Sequence, residues 1–150
     1  MRMVVSTRCA VLLGGLILGI GGGCGPGEPA AGSPEIFQNA ALTEVGSLIE
    51  SYMADAKKPP TKQSDLAKYE PGLPSGWNEL KKGNIVVFWG VPLASDDTST
   101  VLAYEKATPD SGGLVLMKDG KTIQKMTAEE FKAAPKAGTP DSASSGAARK

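Results

Sequence analysis

Histidine is absent from all 150 residues, and cysteine occurs only twice, at Cys9 and Cys24. The first absence removes the side chain that most often serves as general base or metal ligand near neutral pH. The second excludes a disulfide framework. Neither charge sign is in excess, with 16 basic residues against 16 acidic ones, so the electrostatic footprint of a nucleic-acid binder is missing. Gly-rich phosphate loops are missing too. Gly14, Gly15 and Gly21 to Gly23 belong to an apolar stretch, and Gly112-Gly113 precedes a strand pattern rather than a helix. The serines at 47, 51, 64, 75, 95, 99 and 111 lack the strand–turn–helix setting of an activated nucleophile. The longest apolar run, Cys9 to Ile20, would span about 18 Å as a helix, short of the roughly 30 Å of a bilayer core.

What is present begins with residues 11–24, VLLGGLILGIGGGC. Arg2 and Arg8 precede this run, no acidic residue does, and Gly25-Pro26-Gly27 follows. A positive end, a short apolar middle and small residues at its close form the layout of an export signal. With a cysteine directly after the small residues, the stretch resembles a bacterial lipoprotein signal. That resemblance implies cleavage before Cys24, acylation of its sulfur and attachment to a membrane through lipid. Gly22 and Gly23 fit the two places before the cut. The place three before the cysteine, usually a branched aliphatic, holds Gly21, and Ile20 stands one step early. Two other outcomes fit the residues less well: cleavage near Ala30-Ala31 to leave a free protein, and an uncleaved anchor. Removal of Arg2 and Arg8 leaves fourteen basic residues against sixteen acidic, so membrane contact must come from acyl chains rather than charge.

The expected organisation is a signal over 1–23, the lipidated cysteine and a flexible tether over 24–32 (GPGEPAAG after Cys24), one domain over 33–135, and a disordered Ala/Ser/Gly/Pro-rich tail over 136–150. Within the domain, Ser33, Pro34 and Glu35 suit a helix start. Phe37, Ala41, Leu42, Val45, Leu48, Ile49, Tyr52 and Ala56 recur at helical spacing, which predicts a long amphipathic helix over 34–57 that lies on a sheet and is stopped by Pro59-Pro60. A short second helix is expected over 61–69, capped by Thr61 or Ser64, followed by a turn-rich connection over 71–76. Residues 85–91 (IVVFWGV) read as a strand buried on both faces and 101–106 as a second strand. Residues 114–126 read as a hairpin whose Asp119-Gly120 matches a type I′ turn with two positive φ angles. Thr127 to Glu130 forms a capping box opening a last helix to about Ala134, with Phe131 inward. The fold class is therefore α+β: a long N-terminal amphipathic helix packed on a small antiparallel sheet of three to four strands, with a short C-terminal helix.

A long helix, a small meander and then VLAYEK…GGLVLMKDGKTIQKMTAEEF resemble the globular heads of pilin-like proteins, in particular type II secretion pseudopilin-like ones. The resemblance implies the fold. It does not imply filament assembly, because the long apolar helix continuous with a pilin head is replaced here by the 25–32 tether.

For chemistry, Asp96-Asp97 with Thr98 and Ser99 behind them are the only weak candidates for a hard cation, and an adjacent pair more often forms a solvated loop tip. Pseudopilin-like heads sometimes hold calcium near their C-terminal loops, which strengthens that candidacy slightly. Trp77, Trp89 and Tyr104 are candidates for an aromatic platform for glycans, Trp77 most of all because it follows Gly76 in an expected loop. No catalytic residue and no cofactor is expected. The reading is a lipid-anchored envelope protein of non-catalytic binding or scaffolding type, attached to the membrane at Cys24, with an envelope protein or cell wall as partner and no nucleic acid. The alternatives are a pilin-like structural subunit and, less favoured, a carboxylate-based hydrolase.

Overall fold

The computed structural model describes residues 34–138, so Cys24, the signal, the tether and the tail beyond 138 lie outside the described residues. The class is α+β, with four antiparallel strands and flanking helices. Helix α1 spans Pro34–Ala56 and buries Ala41, Leu42, Val45, Leu48 and Ile49. It ends at Lys57, whose φ of 56° is left-handed and whose N–H donates to Met53 O at 3.0 Å.

A 3₁₀ helix follows over Gln63–Gly72, three residues longer at its C-terminal end than the helix expected there. Its start is held by Asp65, which accepts from Thr61 N at 2.8 Å, Thr61 Oγ1 at 3.1 Å and Lys62 N at 3.3 Å. Neither Thr61 nor Ser64 is the cap.

The connection expected over 71–76 is largely helix. Helix α2 covers Pro74–Lys82, with Pro74 at its first position and Gly83 as a left-handed end at φ 70°. Gly76 sits in this helix for a packing reason rather than as a turn residue. A Cβ there would lie 2.8 Å from Glu44 Cβ and 2.9 Å from both Ala41 O and Val45 N of α1. Its N–H also donates to Glu44 Oε2 at 2.8 Å.

The sheet comprises β1 (Ile85–Val87), β2 (Val101–Glu105), β3 (Gly113–Met117) and β4 (Ile123–Met126), in the order β1-β2-β3-β4. The apolar run at 85–91 supplies only a three-residue edge strand. The chain turns away at Trp89-Gly90, where Gly90 has a φ of 76° and donates to Pro60 O at 2.8 Å. Burial of that run still serves two faces: Ile85 and Val87 join one core and Phe88 the other. Leu102 is the extra residue of a bulge between Val101↔Met117 and Ala103↔Leu116. The bulge turns Leu102 and Ala103 to the same core, together with Leu114, Leu116 and the helices α1 and α2. Val101, Tyr104, Val115 and Met117 face the opposite side.

That side is covered by helix α4 (Ala128–Ala133), reached from the four-residue helix α3 (Thr108–Ser111) through β3 and β4. The capping box is formed: Thr127 Oγ1 accepts from Glu130 N at 3.2 Å, and Glu130 Oε2 accepts from Thr127 N at 2.8 Å. Phe131 is buried beside Tyr104, ring centroids 4.7 Å apart. Pairing with the sheet continues past Pro135. Val101 N donates to Pro135 O and Ala137 N to Val101 O, each at 2.9 Å.

The β3–β4 turn differs from the type I′ form. Gly120 alone has a positive φ, 76°, and its N–H closes the turn on Met117 O at 3.0 Å. A left-handed glycine following a turn at 117–120 is the form in which only one residue needs positive φ. Asp119 is not left-handed, and its carboxylate accepts from Lys121 N at 3.0 Å, Thr122 N at 2.9 Å and Thr122 Oγ1 at 2.5 Å. This turn lies against α1, where a Cβ on Gly46 would collide with Gly120 O.

Alanine for glycine within a helix ordinarily stabilises by up to about 1 kcal/mol. At Gly46 the expected sign is reversed: Gly46→Ala should destabilise by about 1–3 kcal/mol through overpacking, a melting shift of roughly 4 °C or more. Thermal melts of Gly46→Ala beside the exposed control Thr43→Ala check this, and equal melting temperatures would remove the close approach.

Candidate functional site

Asp96 and Asp97 lie in the loop between β1 and β2, and their environments differ. Asp96 is exposed and Asp97 half-buried. Asp97 Oδ1 accepts from Thr100 N at 3.0 Å, Ser99 Oγ at 3.1 Å and Ser99 N at 3.3 Å, while Oδ2 stands 3.5 Å from Lys118 Nζ. The Thr100 hydroxyl, then the amides of Thr100 and Ser99, hold its carboxyl down to about 2 against the opposing effect of burial. The loop is also fastened to the hairpin through the backbone, with Ala94 N donating to Lys118 O at 3.1 Å and Asp119 N to Asp97 O at 3.1 Å. Asp97 thus staples its own loop to the β3–β4 turn, and its oxygens face donors of the chain. Among the described residues, no group of three or more Asp, Glu, Cys or His is placed to hold a metal ion.

The aromatic candidates are not brought together at the surface. Trp77 lies in α2 and is buried, so the expectation that it follows Gly76 in an exposed loop is overturned by the close crossing of α1 and α2. Tyr104 is buried between Phe88 and Phe131, at centroid distances of 5.8 and 4.7 Å, and burial pushes its hydroxyl up. Trp89 is half-buried against the α1 side of the core.

A polar cleft that the sequence does not flag opens at the other end of the sheet. Glu35, Gln38, Glu105, Ser111, Leu114 and Lys125 are among its lining residues, around a volume of about 250 Å³. Glu35 Oε1 and Lys125 Nζ pair at 3.0 Å across its mouth. Glu105 Oε2 accepts from Leu114 N at 2.7 Å, a contact open because residue 113 is glycine; a Cβ there would lie 2.7 Å from both Glu105 Oε2 and Thr108 Oγ1. Both carboxylates of the cleft therefore already have partners. The only sequence signal for this arrangement is Glu105 at the end of a strand with Gly112-Gly113 after it. Thr108 Oγ1 is buried nearby without a hydrogen-bond partner among the described residues.

The depressed carboxyl of Asp97 makes a pH prediction. Its folded value, about 2, lies below the ordinary 3.8, so its contribution is present above about pH 4 and is lost as pH falls toward 2. Asp97→Asn should lower the melting temperature at pH 7, and the gap from the unsubstituted protein should narrow between pH 4 and pH 2. Thermal melts across that range check it, and a gap independent of pH would show that the charge does not matter.

Neither a known protein family, nor any curated protein, nor any solved structure matches this chain.

Proposed function

We propose that the protein is exported, acylated at Cys24 and held at a membrane surface, where its α+β domain acts as a non-catalytic binding or scaffolding module. The observation that carries this reading is the pattern of Arg2 and Arg8, the short apolar run and three glycines ending at Cys24. Lipid is the means of attachment in this reading, because the apolar run Cys9 to Ile20, about 18 Å as a helix, is short of the roughly 30 Å of a bilayer core. More than one acyl chain is expected, because a single chain of myristoyl length anchors only marginally.

The non-catalytic part of the proposal draws support from what the carboxylates do. Asp97 and Asp119 fasten loop backbone, Glu130 closes the capping box, and Glu105 holds a strand amide. The long helix α1 serves in this reading as the beam between the tether and the sheet, with its N-terminal end toward the anchor. An envelope protein or the cell wall is the partner proposed for the domain.

Growth with a labelled fatty acid tests the anchor. The unsubstituted protein should incorporate label and partition with membranes, and Cys24→Ser should lose at least nine-tenths of both. Equal labelling of the two proteins would overturn the proposal.

A further inference from the structure

The first turns of α1 are not packed like the rest of it. Residues 36–40 are exposed around the whole helix circumference, and continuous burial begins only at Ala41. Within that segment stand the exposed large hydrophobics of the described residues, Ile36 at 40% and Phe37 at 53% exposure. Gln38 and Asn39 beside them are exposed and uncharged. Glu35, the nearest acid, is paired with Lys125 at 3.0 Å. The helix end thus presents an aromatic ring with amide-bearing neighbours and a carboxylate paired with a lysine.

This end is also the part of the described chain nearest in sequence to Cys24. Ten residue steps separate Cys24 from Pro34, a reach of at most about 35 Å. A surface that carries the anchor is therefore held at high effective concentration next to Phe37, so that a contact too weak to bind a free protein becomes populated. Phenylalanine with polar neighbours suits the boundary between lipid headgroups and acyl chains. We infer that the N-terminal end of α1 docks on the bilayer that carries the Cys24 anchor, with the Phe37 ring entering the headgroup boundary. The inference rests on the lipidation proposed above and adds an orientation to it: α1 stands on the membrane by its N-terminal end. Ala56 lies about 28 Å further along the helix, on the side away from the bilayer when α1 stands upright.

Photocrosslinking from single positions tests this. The photoreactive residue benzoylphenylalanine replaces Phe37 in one protein and the exposed Ala56 in another, and each is irradiated on vesicles of phosphatidylethanolamine and phosphatidylglycerol. Each is used both as the natively acylated chain and as the chain from Cys24 onward coupled through its only thiol to a maleimide lipid. Lipid adducts should form from position 37 at least ten times more than from position 56, in both anchored forms. Equal lipid yields from the two positions, or crosslinks from 37 to a second copy or another protein in place of lipid, would overturn the inference. A native chain without acyl groups, together with a ten-fold preference in the chemically anchored form, would contradict lipidation at Cys24 while leaving the docking surface standing. As a second reading, Phe37→Ser should reduce lipid crosslinking from position 36 several-fold, whereas Phe37→Leu should retain most of it; no difference between them would count against insertion of an apolar side chain.

Discussion

The carbonyl of Gly120 occupies the space that a side chain on Gly46 would need, and much of the architecture follows from that approach. It lets α1 lie directly on the β3–β4 turn, a backbone contact beside the side-chain layer that Leu42, Val45, Leu48 and Ile49 form with Leu102, Leu114 and Leu116. The turn then has its particular form, with a left-handed Gly120 and an Asp119 whose carboxylate binds the following amides. Leu93 packs over the other side of Gly120 and brings the 92–100 loop with it. A second close crossing, at Gly76, fixes α2 on the opposite flank of the same helix. Gly46 and Gly76 are the places where α1 and α2 admit their neighbours.

A second regularity concerns the acids. Without histidine and with few aromatics, the chain secures its many loops with carboxylates that accept from nearby amides and hydroxyls. Asp65 starts the 3₁₀ helix, Asp97 staples its loop, Asp119 closes the hairpin and Glu130 caps α4. Such bonds are charge-assisted, and several hold their carboxyls below the ordinary value. For Asp119, burial pushes the carboxyl up, and the Thr122 hydroxyl and the 121 and 122 amides outweigh it. Asp97, the stronger-held member of the Asp96-Asp97 pair considered for a cation, is among them.

Legibility in the sequence followed the range of the interaction concerned. The antiparallel strands at 101 and 114–126 and the Thr127 capping box were readable because their signals are local: alternation, an Asp-Gly pair, a cap with Glu three places on. What was misread depended on distant partners. Pro71 to Gly76 carries every mark of a loop, yet Pro74 starts α2 and Gly76 is selected by α1 more than thirty residues away. The IVVFWGV run predicted a seven-residue strand buried on both faces, whereas the strand at the sheet edge ends after three residues and the chain turns away to the Gly90 to Pro60 bond. The bulge at Leu102, which turns two successive residues of β2 into one core, has no local marker. The cleft beside Glu105 depends on a missing side chain at Gly113 and was equally silent.

The functional account joins these features through α1, whose C-terminal two-thirds organise the domain and whose N-terminal end leads toward Cys24. Its central claim is that Cys24 becomes the first residue of a membrane-held protein. Mass spectrometry of the N-terminal peptide, taken from protein isolated out of the native membrane fraction, tests that most directly. The account predicts a peptide beginning at Cys24 and carrying thioether-linked diacylglycerol. An unmodified peptide beginning near Ala31, or one that still contains Arg2 and Arg8, would contradict it.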